Sequence, residues 1–482
     1  MKRIAAVLSA ALLSSCIPDT PTAPPDAHLP PLYRDRESDG PSLAAIPWRS
    51  FYADAALREL ITQSLAKNYN AQLAYEAVVA ARESLNVTHA NQLPAASATI
   101  QAPYEADVGN KPGSTPAQAF APQLSAGASY DLDLFGKLKS ATAAARAQLL
   151  ATQAAYDSVR WALVSQVATS YFQLRELDAV LDLSLRAAKD REQSLELVKL
   201  RVKYGESSLQ DQLQAEQSLY QVTQNIPLVR GSIATSENAL SILAGDYPRA
   251  IARGLPLEDQ VALPPLPSTG VPGELLARRP DIRQADDTLV AADAQIDVAR
   301  KLLLPSFTIG ASAGVGGQVS TGTFPNLAKA LASLGGSGVF YGPTGVFSLL
   351  PQLTQAIFSG GALQAHVRLS QAQQQQAVLT YLQTVQTAVS DVSNAVATYG
   401  TQRQHRETQQ ADTAASVAST QLAILRYNEG QTSYLEVLDA QTREYQAQID
   451  TQSALLNERL ALVQLYLALG GGFEPDTTPL HS

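Results

Sequence analysis

Glu436 and Asp439, in the stretch GQTSYLEVLDA, stand three residues apart and so share one face of any helix that holds them. Ser433 and Glu436 also form the S-x-x-E pattern of a capping box, in which the carboxylate reaches back to an unpaired helix N–H. Capping is a sufficient use for Glu436, but it leaves Asp439, a turn further in, unexplained. The five histidines (His28, His89, His366, His405 and His481) have no ligand spacing and no attendant carboxylate cluster. The glycine-rich GGSGVFYGPTG lacks the lysine and the following helix that a phosphate loop needs. An enzyme therefore finds no constellation here to carry its chemistry, and no cofactor is expected. The one thiol, Cys16, excludes intramolecular disulfides and cysteine zinc sites.

Cys16 sits where its position has meaning. Lys2 and Arg3, an apolar run from Ile4 to Leu13 and the small residues Ser14 and Ser15 have the layout of a secretory signal peptide over residues 1–15. Leu13-Ser14-Ser15-Cys16 resembles a lipobox, in which the sulfur receives diacylglycerol and cleavage leaves Cys16 as an N-terminus open to N-acylation. An ordinary signal peptide with an incidental thiol is the alternative. Residues 16–50 follow as a linker with eight prolines from Pro18 to Pro47, an extended segment that cannot build a core and would let an anchored end run along the body. The formal charge of −9 weighs against nucleic acid, whose phosphates call for a basic face. No run of 18 apolar residues occurs, so any crossing of a membrane is made by strands.

The placement of helix breakers organises the rest. No proline lies between Pro122 and Pro227 and no glycine between Gly136 and Gly205; Pro351 to Pro475 is again free of proline, with Gly400 alone between Gly361 and Gly430. Each window admits about 67 helical residues, ~100 Å at 1.5 Å per residue, a length that needs a special partner surface. Val378, Leu382, Val385, Val389, Val392, Val396 and Tyr399 alternate spacings of four and three, an a/d seam for side-by-side helices. Between the helical blocks the period changes to two. Leu124, Ala126, Ala128, Tyr130, Leu132 and Leu134 alternate with small or polar residues, as do Phe307, Ile309, Ala311, Ala313 and Val315, and Ala96, Ala98, Ile100, Ala102 and Tyr104. A fourth, glycine-broken stretch runs from Gly338 to Leu350. Such segments match membrane-barrel strands, or halves of soluble hairpins.

The pattern occurs twice. With Gly205 placed on Gly430, Leu200, Arg201, Leu213, Ala215, Tyr220 and Gln221 pair with Leu425, Arg426, Leu438, Ala440, Tyr445 and Gln446. Repeat 1 spans 51–265, with an opening helix, a strand pair over 93–134, a long helix over 137–203, a tip and a helix over 208–245. Repeat 2 spans 266–472, with an opening helix from Gly273 to Leu303, a strand pair over 304–350, a long helix over 362–428, a tip and a helix over 433–469; residues 473–482 form a tail. Four strands cannot close a barrel without bare edges in lipid, so several copies must share one.

WRSFYADAALRELI, RRPDIRQAD, LLLPSF, RYNEGQTSYLEVLDAQ and LYLALGGG together resemble the TolC-like outer membrane efflux family in its lipoprotein branch, the nodulation protein T type. The resemblance covers the chain from Cys16 to Gly472. It implies an α+β membrane protein: a homotrimer in which each chain gives four strands to a twelve-stranded outer-membrane β-barrel and long helices to a periplasmic tunnel. It implies an exit duct of a tripartite pump, in contact with outer-membrane lipid, joined through a periplasmic adaptor to an inner-membrane transporter of the resistance-nodulation-division class. The chain would then sit in a Gram-negative outer membrane, lipid-anchored, with most of its mass in the periplasm. By the same resemblance Leu435, Glu436 and Asp439 line a pore constriction whose anionic ring favours cations, and Gly205 and Gly430 make the tip turns. Tyr427 and Asp211 are the matching pair for a hydrogen-bonded tip lock, while Thr432 replaces the arginine of the family's prototype and removes one salt bridge. Leu209, Leu213, Leu435 and Leu438 would form the docking surface for the adaptor. A duct for type I protein secretion, or a lipid-anchored coiled-coil tether without a pore, are the competing readings.

Overall fold

The computed structural model describes residues 25–31, 33, 42–107, 117–120, 123–261, 269–322 and 340–471. Cys16, the expected signal peptide over residues 1–15 and the expected tail over 473–482 lie outside them. In chain order the elements are α1 (Ala55–Lys67), α2 (Tyr69–Ala90), β1 (Ala95–Gln101), β2 (Tyr104–Asp107), β3 (Ala117–Phe120), β4 (Gln123–Leu132) and α3 (Lys137–Lys203). Then come α4 (Leu209–Thr223), α5 (Asn225–Leu243), α6 (Glu274–Arg278), α7 (Pro280–Lys301), β5 (Ser306–Gly322), β6 (Phe340–Thr354), α8 (Ala362–Asn428) and α9 (Tyr434–Ala468). Among the described residues no helix is long and apolar enough to cross a membrane.

These elements divide into two compact units. The first, from Ala80–Leu149 and Asp287–Val378, is built on one antiparallel sheet. β1 pairs with β4, β4 with β5 and β5 with β6, while β3 extends the β4 side along β5 and β2 pairs with β3. The register lines up every alternation read from the sequence. Leu132 lies opposite Phe307 and then Leu353, Ala128 opposite Ala311 and then Leu349, Ala126 opposite Ala313 and then Phe347. One face of the sheet is thus apolar across all four long strands, because a period of two sends alternate side chains to one side. On β1, β4 and β5 the other face is small and polar, while β6 adds Leu350 there, opposite Gly310: Thr308 donates to Asp131 at 2.6 Å, and the Ser312 and Ser348 hydroxyls are 2.7 Å apart. Phe347, Leu349 and Leu353 are exposed, and β1 and β6 each have one edge without a partner among the described residues. β6 runs to Thr354, past the expected end at residue 350.

The second unit, from Pro25–Val79, Leu150–Asp286 and the residues from Leu379 onward, holds the main core. The seam on α8 is buried there: Val385, Val392, Val396 and Tyr399 pack with the partly buried Leu382 and Val389. Phe51 stacks on Tyr466 with centroids 4.0 Å apart. Tyr33 and Leu43 are buried in this core, so the proline-rich linker contributes packing that its composition did not suggest. Asp54 is 1% exposed and fully engaged. Its Oδ1 accepts from Ala56 N (2.8 Å), and its Oδ2 from Tyr171 Oη (3.0 Å), Leu255 N (2.9 Å) and Gln260 Nε2 (2.7 Å).

Three helices expected as single pieces are divided, each for a local reason. Between α1 and α2, Asn68 adopts extended backbone; its side-chain oxygen accepts from Asn70 N and Ala71 N while its amide donates to Leu243 O. Between α6 and α7, Arg279 is extended because Pro280 disfavours helical backbone before it. α4 and α5 part at Gln224, where Pro227 has no N–H to give to the Thr223 carbonyl. α9, without a proline, is continuous for 35 residues.

Candidate functional site

The ends of α3 and α8 turn back into α4 and α9 through two similar reversals. Gly205 and Gly430 hold φ values of 75° and 72°, the left-handed region that a side chain resists. Their N–H groups donate to Val202 O and Tyr427 O, and the next residues, Glu206 and Gln431, donate to Arg201 O and Arg426 O at 2.8 Å. These paired bonds are the glycine C-cap that satisfies the last carbonyls of a helix. Below them Leu195, Val198, Ala215, Ala423, Tyr434, Val437 and Ala440 form a small apolar cluster joining all four helices.

The two reversals differ in how the following helix begins. Ser208 and Asp211 form a reciprocal capping box: the Ser208 side chain accepts from Asp211 N, and Asp211 Oδ2 accepts from Ser208 N at 3.0 Å. That backbone N–H, with the Ser208 and Ser207 hydroxyls, holds the Asp211 carboxyl below its ordinary value. The box expected at Ser433 and Glu436 does not form, since Ser433 makes no side-chain cap bond. Glu436 instead pairs with Arg426 at 2.8 Å and accepts from the Thr432 hydroxyl. The arginine one turn before the tip draws the carboxylate away from its own helix end. Asp439 is ion-paired with Arg443 one turn along α9.

The expected direct bond between Tyr427 and Asp211 is replaced by a relay. Ser207 Oγ donates to Asp211 Oδ2 at 3.2 Å and lies 3.5 Å from the Tyr427 hydroxyl. The Tyr427 ring does more than the hydroxyl: the Arg201 guanidinium lies 4.6 Å from its centroid, and Tyr434 packs at 5.3 Å. Burial pushes the Tyr434 phenol up to about 12. Leu209, Leu213 and Leu435 are exposed at the tips, whereas Leu438, expected with them, packs partly buried against the apolar cluster.

Arg191 belongs to this site although no sequence signal marks it. It is 4% exposed, on α3, and its guanidinium reaches two other helices. It donates to Ser218 O (2.9 Å) and the Ser218 hydroxyl on α4, and to Gln441 O (3.5 Å) on α9. Burial lowers its pKa, and the Tyr445 ring lies 5.9 Å from the guanidinium. Beside it opens a groove of about 780 Å³, lined by Thr420, Gln441, Tyr445 and Gln448 among others. Among the described residues no group of three or more His, Cys, Asp or Glu could hold a metal ion.

Comparison with known proteins meets this geometry. The sequence model described as "Outer membrane efflux protein" matches residues 60–246 and 271–471. The "Probable efflux pump outer membrane protein TtgC" of Pseudomonas putida is 32% identical over 485 residues, covering 98% of this chain and 95% of its own. The "Cation efflux system protein CusC" of Escherichia coli is 31% identical, with 88% of each chain covered. Among solved structures, the open state of the Neisseria gonorrhoeae MtrE outer membrane channel superposes with a TM-score of 0.79 at 28% identity, over 95% of this chain and 98% of that one. Long helices joined by glycine tips, a sheet with one apolar face, and matches that run nearly end to end agree: this chain belongs to the outer membrane efflux protein family.

Proposed function

We propose that the chain is one third of an exit duct through a Gram-negative outer membrane, passively conducting small molecules that an inner-membrane transporter delivers through a periplasmic adaptor. The observation that carries this is the sheet. Its register puts apolar side chains on one face of four long strands and leaves the outer edges of β1 and β6 without a partner among the described residues. Bare edges are not tolerated in hydrocarbon, so a closed barrel of three copies is the arrangement that satisfies them. The two matched segments, 60–246 and 271–471, fit a chain made of two repeats, each giving two strands and a long helical hairpin. Cys16 is the proposed attachment point for diacylglycerol and an N-acyl chain. The adaptor is proposed to dock on the exposed Leu209 and Leu213 of α4.

The tips are the proposed gate. Three copies of α9 bring Leu435, Glu436 and Asp439 around the axis, with Gly205 and Gly430 setting the turns and the Tyr427–Ser207–Asp211 relay joining the two hairpins. The relatives named for pumps of toluene and of cations support efflux rather than protein secretion as the task. The test is direct: full-length protein purified in detergent is sized and then incorporated into planar bilayers in potassium chloride. Trimers that pass discrete ionic currents support the proposal. Single dispersed chains, or trimers silent even after Gly-to-Ala changes at both tips, overturn it.

A further inference from the structure

α9 keeps one stripe open from Leu435 to Asp450. Leu435, Glu436, Asp439, Arg443, Gln446 and Asp450 are exposed, while Tyr434, Val437, Ala440 and Ala447 on the other side are buried. The open stripe is not uniformly acidic. Arg443 follows Asp439 by one turn and is ion-paired with it; their side chains are 72% and 55% exposed. Glu436 is matched by Arg426 from α8 at 2.8 Å. Both acids singled out for an anionic constriction thus carry a guanidinium partner. Gln446 then donates to Asp450 at 2.9 Å, a further turn along.

Resting on the proposed three-copy duct, we infer that Arg443 is a selectivity-determining residue, forming a cationic ring that counters the Asp439 ring at the constriction. Four residues of helix separate the two rings by ~6 Å along the axis. That is less than the screening length of about 10 Å at 0.1 M salt, so a passing ion meets both signs at once. A constriction balanced in this way admits cargo of either charge. Removing the acid leaves the cationic ring alone and turns the preference toward anions. An acidic ring acting alone would only lose its bias.

The experiment is the reversal potential of full-length trimers in planar bilayers under a potassium chloride gradient, for the unaltered protein, Asp439→Ala, Arg443→Gln and the double variant. The expected potassium-to-chloride permeability ratio is within about twofold of unity for the unaltered protein and for the double variant. Asp439→Ala moves it severalfold toward chloride, and Arg443→Gln severalfold toward potassium. If Asp439→Ala stops at unity and Arg443→Gln changes nothing, the counter-ring is refuted while the acidic constriction stands. If the trimers conduct and neither single change alters selectivity, the tip is not the filter, and both this inference and the proposed gate fall. Absence of current from every trimer, those carrying Gly-to-Ala changes at both tips included, overturns the duct and this inference with it.

Discussion

Asp54 offers the most quantitative test of how the helical body is held. Its carboxylate is buried and takes four donors: one at Oδ1, from its own helix start, and three at Oδ2, from α3 and the 255–260 segment. Asp54→Asn keeps the shape but can keep only one oxygen. The amide will turn its oxygen to the three-donor side and set its NH₂ against Ala56 N, losing a helix N-cap at a cost of about 0.5–2 kcal/mol. The three surviving bonds also lose their charge assistance, so the total is about 3 kcal/mol. Asp54→Ala strands all four donors, at about 1–3 kcal/mol each, and costs at least ~4 kcal/mol. Heating detergent-solubilised trimers while following helical circular dichroism should rank them unaltered, then Asn, then Ala. An Asn variant that melts together with the unaltered protein would refute the reasoning, because it would mean the donors are satisfied without the charge.

Tyr427→Phe should leave bilayer conductance within about twofold, since the hydroxyl makes only a 3.5 Å contact, and Tyr427→Ala should raise it by removing the ring from Arg201 and Tyr434. Gly245→Ala should reduce the yield of folded trimer, because a Cβ there would lie 2.4 Å from Lys67 O on a backbone at φ 72°, a strain of about 1–2 kcal/mol before any clash. Arg191→Ala should loosen α9 from α3 and α4, measured as faster proteolysis at the tips in otherwise intact trimers. The Asp211 carboxyl is held below its ordinary value mainly by the Ser208 N–H. Its cap is therefore complete above that ordinary value and fails as pH falls through the lowered one. A dye on Gln210→Cys should report this acid loosening, and Asp211→Ala should abolish its pH dependence.

The parts of the fold legible in the sequence are those set by local rules. Long helices start just after Gly136 and Gly361 and end just before Gly205 and Gly430, and the strands announce themselves because a sheet with one apolar face must alternate. Pro280 and Pro227 were visible signs of the divided helices, but Asn68 was not; only its reach to Leu243 O makes it a joint. At the tips, spacing put Glu436 and Asp439 on one face, yet a cap pattern cannot say that Arg426, ten residues earlier and across the turn, will take the carboxylate first. The Asp439–Arg443 pair is an i,i+4 contact that spacing alone could have supplied. Arg191 lies beyond such rules. On a helix rich in exposed charges it reads as one more solvated arginine, and only the packing of α4 and α9 over it makes it interior.

In the proposed three-copy barrel, the edges of β1 and β6 that have no partner among the described residues bear on biosynthesis. A strand border that finds its hydrogen-bond partner only on another molecule makes sheet completion a collision-dependent step, so its rate rises steeply with the local supply of nascent chains. Scarce chains would linger with unsatisfied borders and reach proteases first, and crowded ones would finish quickly. For a barrel of that kind, cellular dosage and folding success are one variable.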